Sequence, residues 1–145
     1  MDTTMRLVLL AVLAILVHDG TCAMSDAQVK ATMKLLKNTC MSKSKATEEQ
    51  INAMHDGDWN QDKHGKCYLQ CILAMNKFQK ADNTLDWEAG VKMMEAQAPP
   101  SFRDHAITTL KHCKDAAQTL NDKCTAAYEI AKCVYDYDPE KYYWP

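Results

Sequence analysis

The chain has 145 residues, 47% of them hydrophobic, and its 17 Lys and Arg nearly balance 19 Asp and Glu, for a formal net charge of -2. That balance excludes a nucleic-acid binder, which needs a basic face, and offers no cationic surface to an anionic membrane. Seven cysteines in so short a chain make the redox compartment the first question.

The N-terminal segment bears on it. After Arg6 the run from Leu7 to Val17 is apolar throughout, and Thr21, Cys22 and Ala23 place small residues where a signal peptidase cuts. The run falls short of the roughly 20 apolar residues of a membrane helix. Residues 1–23 are expected to be a cleaved signal peptide, leaving a secreted chain of one domain over residues 24–145. Cleavage discards Cys22, and six cysteines in an oxidising compartment predict three disulfides. Zinc would have to start from His64, Cys67 and Cys71, which lack the second half of a four-coordinate site. A redox pair would read C-x-x-C after a strand, whereas Cys67 and Cys71 are separated by three residues inside a helical pattern.

From there the chain reads as six helices with no strand pattern. Ser25 with Gln28 and Thr47 with Gln50 form capping boxes, in which each side chain satisfies the other's backbone donor. Apolar residues then recur at helical spacing: Val29, Met33, Leu36, Cys40; Ile51, Met54; Tyr68, Cys71, Ile72, Met75; Trp87, Val91, Met94, Ala98. Pro99 and Pro100 break the chain and open the next helix, since proline is tolerated in a first turn. Phe102, Ala106, Leu110, Cys113 and Ala117 follow on one stripe, and Cys124, Ala127, Tyr128, Ala131 and Val134 on the last. Pro139 should end that helix, because the residue before a proline is pushed out of helical conformation.

Helical geometry restricts the crosslinks. Cys67 and Cys71 lie one turn apart on one face, so bridging them would staple nothing. Cys124 and Cys133 fall close to half a turn out of phase, which puts the last helix between two neighbours. Excluding both local pairs leaves about ten of the roughly fifteen connectivities.

Catalytic motifs are missing from the sequence: no G-x-S-x-G, no H-E-x-x-H and no Gly-rich phosphate loop. Asp56, Asp58, Asn60 and Asp62 mimic the start of an EF-hand, but Gln61 replaces the turn glycine and Cys67 stands where the bidentate Glu belongs. His105 and His112 lie seven apart on one face and read as a partly exposed helix face without an ionic partner.

The cysteine spacing C-x26-C-x3-C-x41-C-x10-C-x8-C, from Cys40 to Cys133, resembles the signature of insect odorant-binding proteins of the pheromone-binding and general odorant-binding type. Tyr68 directly after the second of these cysteines, Pro99 and Pro100, and Asp138 and Pro139 before the aromatic tail strengthen the likeness. The resemblance implies an all-α, six-helix, disulfide-stapled bundle around an apolar cavity, with the pairs Cys40–Cys71, Cys67–Cys124 and Cys113–Cys133. It implies a carrier for a small hydrophobic ligand, with no enzyme activity, cofactor or metal. Partners would be that ligand and a chemosensory receptor or membrane protein, and the carrier would be a monomer or weak homodimer. By offset from the cysteines, Ile72, Leu73, Val91, Met94, Phe102, Ala106, Ile107, Leu110 and Ile130 fall where relatives line the pocket. Met75 belongs to a set of six methionines, with Met33, Met41, Met54, Met93 and Met94, whose flexible side chains suit an adaptable wall or an ordinary helical core. Several relatives carry larger aromatics where this chain has Val134. The resemblance also implies that the tail folds back as a wall, with Tyr143 and Trp144 on the ligand and the Pro145 carboxylate accepting a hydrogen bond from Tyr68. Acid would weaken that latch and release ligand. A carrier of another hydrophobic ligand, outside chemosensation, fits the same residues, and a lipid-active enzyme or a membrane-active helical protein would need features this chain lacks.

Overall fold

Helices in this chain begin where a side chain can satisfy the backbone donors that a first turn leaves free. A computed structural model describes residues 23–145; the expected signal segment, save Ala23, lies outside the described residues. Six α-helices are present: α1 Asp26–Ser44, α2 Glu48–His55, α3 Lys63–Met75, α4 Trp87–Gln97, α5 Pro100–His112 and α6 Lys123–Tyr137. Both capping boxes form, at Ser25 with Gln28 and at Thr47 with Gln50. Asp62, Asp86 and Asp122 cap α3, α4 and α6, and Pro99 precedes α5 with Pro100 as its first residue. At the far end α6 stops at Tyr137, and Pro139 opens a single 3₁₀ turn, Pro139–Lys141. Among the described residues there is no strand, only one isolated bridge between Gln79 and Leu85, and no helix is long and apolar enough to cross a membrane.

The centre of the bundle is α3, packed against α1 on one side and α6 on the other. It contributes Tyr68, Leu69, Ile72 and Leu73 to the core, and α6 meets it with Ala126, Ala127, Ile130 and Ala131. Three alanines on the facing side let the two helix backbones approach closely, which a bulkier set would prevent. The disulfides run Cys40–Cys71, joining α1 to α3, Cys67–Cys124, joining α3 to α6, and Cys113–Cys133, joining the end of α5 to α6. Cys67 and Cys71 thus serve two different neighbours, and α6 is held on two sides.

The turn between α2 and α3 depends on one glycine. Gly57 has φ +90, and a Cβ there would lie 2.9 Å from the Tyr135 hydroxyl. Gly57→Ala combines left-handed strain with that overlap and is expected to cost more than about 1 kcal/mol. Urea unfolding of the variant, read by tryptophan fluorescence, measures the loss.

Candidate functional site

Between α3, α4, α5, α6 and the C-terminal tail lies a cavity of about 130 Å³. Ile72 and Leu73 of α3 and Ile130 and Val134 of α6 form two of its sides. Met94 of α4 and Phe102, Ala106 and Leu110 of α5 form another. A second cavity of about 120 Å³, bounded by α1 and α4, shares Met33, Asn76, Met93, Met94 and Phe102 with the first. Apolar space therefore continues from the bundle centre toward α1.

Helical phase explains which expected residues are displaced from the wall. Met75, Val91 and Ile107 do not line the cavity. At about 100° per residue, each lies roughly 100–130° around its helix from the mean direction of the residues that do. Met75 is 44% exposed, and its sulfur sits 3.8 Å from Cys40 Sγ, beside the α1–α3 crosslink. Val91 is buried on α4 away from the cavity, and Ile107 is half-buried on α5.

Several wall residues were not expected. Phe78 and Leu85 come from the loop between α3 and α4, which curls so that Asp86 N–H donates to Phe78 O at 2.8 Å and Lys80 N–H to Thr84 O at 2.9 Å. Asn83 and Gln79 then fasten that loop to the chain around α6, through Leu120 O at 2.8 Å and Lys123 O at 3.0 Å. A lone Phe and a lone Leu in a polar stretch were the available signal. His105, Thr109 and Lys141 add polar groups to the wall. The expectation that His105 lacks an ionic partner is corrected: its Nδ1 lies 3.9 Å from Asp138 Oδ2, because Pro139 turns the chain back over α5.

The tail closes the cavity. Tyr143, Trp144 and Pro145 line it, and the buried Tyr68 hydroxyl donates to the main-chain oxygen of Pro145. Burial raises the Tyr68 pKa well above that of an ordinary phenol, so it stays a donor across the physiological range. Tyr142 anchors the segment in an aromatic cluster, with ring centroids 5.4 Å from Tyr135, 5.9 Å from Trp59 and 6.2 Å from Trp144. Burial, and after it the neighbouring Tyr68, raise the Tyr142 pKa as well. The exposed His55 packs its ring on Tyr142 at 5.1 Å. Loss of solvent on that side, and next the Lys37 ammonium, lower the His55 pKa from 6.5, while Asp56 and the Trp144 main chain act in the opposite sense.

Comparison with known proteins follows the same lines. The sequence profile of the PBP/GOBP family matches residues 22–137. General odorant-binding protein 72 of Anopheles gambiae is 26% identical over 118 residues, 81% of this chain and 97% of that protein. The crystal structure of odorant binding protein 4 from Chrysopa pallens superposes with a TM-score of 0.77 at 36% identity, covering 84% of this chain and 99% of that one. Odorant binding protein 5 of Apis mellifera gives 0.75 at 28% identity, over 85% of this chain and 99% of that one.

Proposed function

Because the chain belongs to the PBP/GOBP family of insect odorant-binding proteins, we propose that it is a secreted carrier that reversibly holds one small odorant or pheromone-like molecule in the cavity closed by its tail. The observation that carries this reading is a largely apolar space inside a crosslinked shell, with Tyr143 and Trp144 as one wall. Apolar volume costs on the order of 24 cal/mol per Å³ when unfilled. For about 130 Å³ that is about 3 kcal/mol, which an apolar ligand recovers on binding. Three disulfides let the shell keep such a space where an uncrosslinked core would collapse. Release follows when the tail lifts, and acid favours lifting by protonating the Pro145 carboxylate and His55. Delivery would be to a chemosensory receptor.

Displacement of an apolar fluorescent probe, N-phenyl-1-naphthylamine, tests the reading. Long-chain alcohols, esters and terpenoids of roughly 10 to 20 heavy atoms are expected to compete at micromolar concentration, at about 0.3 kcal/mol or more per atom. If sugars or nucleotides displaced the probe better, the carrier assignment would fail.

A further inference from the structure

The space at the bundle centre measures about 130 Å³ and the space under α1 about 120 Å³. Five side chains border both: Met33 of α1, Asn76 at the end of α3, Met93 and Met94 of α4, and Phe102 of α5. Asn76 is the one polar member, and its amide is turned back on its own helix, with Nδ2 donating to Ile72 O at 2.9 Å. The junction is otherwise apolar. Three of its residues are methionines, whose unbranched side chains carry three rotatable bonds and adapt to different shapes. All three are only partly buried, so close packing does not hold them on every side. Size then decides what can bind. An apolar protein cavity of about 150 Å³ holds one benzene molecule, so either space alone takes about six heavy atoms and the two together about twelve.

We propose that the two cavities are lobes of a single site, joined when Met33, Met93 and Met94 change rotamer, and that the site takes one flexible unbranched chain of about ten to twelve carbons, threaded from the bundle centre to the space under α1. The inference rests on the carrier reading and names the ligand class within it. A rigid polycyclic body of the same heavy-atom count exceeds either lobe and cannot bend through the junction. A chain can, and each methylene that it moves from water into the second lobe is worth about three- to fourfold in affinity.

Isothermal titration calorimetry with the straight-chain alcohols from 1-hexanol to 1-undecanol tests this directly. In the wild-type protein each added methylene is expected to tighten binding by about threefold through the whole series, with one molecule bound per chain. Ala98 is buried and borders the space under α1 but not the central one, so Ala98→Leu shortens the second lobe alone. This variant should bind 1-hexanol as the wild type does, lose at least about tenfold for 1-undecanol, and show no further gain beyond about seven carbons. A plateau beyond 1-heptanol in the wild type, an undiminished gain per methylene in Ala98→Leu, or two molecules of 1-undecanol per chain would overturn the two-lobed site. If no alcohol in the series binds the wild type, the carrier reading itself fails. A thermal melt shows whether Ala98→Leu is folded, and if it is not, the slope and stoichiometry of the wild type decide.

Discussion

Replacing Cys67 and Cys124 together by serine is expected to lower stability by about 4 kcal/mol and the melting temperature by on the order of 15 °C. The bridge joins residues 57 apart in sequence, so its removal frees the largest loop in the unfolded chain, and loop-closure entropy grows with the logarithm of loop length. The same substitution at Cys113 and Cys133, 20 apart, should cost nearer 3 kcal/mol. Losses of that size compete with a total stability of about 5–15 kcal/mol. The α3–α6 bridge also holds Ile72 and Leu73 opposite Ile130 and Val134 across the cavity, so probe binding should weaken along with stability. Thermal melts of both double variants, followed by far-UV circular dichroism, give the order directly. A larger loss at Cys113 and Cys133 would show that native-state packing, and not the length of the freed loop, governs these crosslinks.

Deleting residues 142–145 is expected to weaken probe affinity by at least about tenfold at neutral pH, or about 1.4 kcal/mol, because it removes one wall of the cavity and the Tyr142 anchor together. Tyr68→Phe removes a single donor and should cost several-fold. The pH dependence has a definite sign. With the tail closed, the His55 pKa is lowered from 6.5, so a form with the tail lifted binds the proton more readily. Stability of the closed form is full above 6.5 and declines as pH falls below it, and ligand affinity should decline with it. Tyr68, whose pKa is raised, does not titrate in this range, so it sets the strength of the latch and not its pH response. Protonation of the Pro145 carboxylate at lower pH removes the charge from the hydrogen bond it accepts, roughly halving its strength. Affinity measured from pH 7.5 to pH 4.5 should therefore fall for the wild type, fall less between pH 7 and 6 for His55→Gln, and stay flat for the deletion. An unchanged profile in both variants would make the tail a passive end.

What the sequence by itself determined is local or covalent. A capping box is read within four residues, as at Ser25 and Thr47, and both formed because the partners are placed by the helix they start. The Pro99–Pro100 break and the stop before Pro139 follow from φ restriction alone. Helical period identified the stripes carrying Ile72, Met94, Phe102, Ala106 and Leu110, the family resemblance added Leu73 and Ile130 by offset from the cysteines, and all seven line the cavity. It left about ten disulfide connectivities open, and spacing resembling a known family supplied the pairing that the structure contains.

Tertiary structure alone decided the rest. Met75 and Val91 belong to apolar stripes and Ile107 was placed by the resemblance, but only the rotation of each helix about its axis settles which part of its apolar surface meets the cavity. Phe78 and Leu85 reach the wall because the α3–α4 loop is tied down by Asn83 and Gln79, contacts about 40 residues distant in sequence. The contact between His105 and Asp138 joins α5 to the turn after α6. His105 and Asp138 are 33 positions apart, and no local period relates them. A hydrogen bond within a turn is specified by its neighbours, whereas the meeting of two distant side chains is specified only by how whole elements pack.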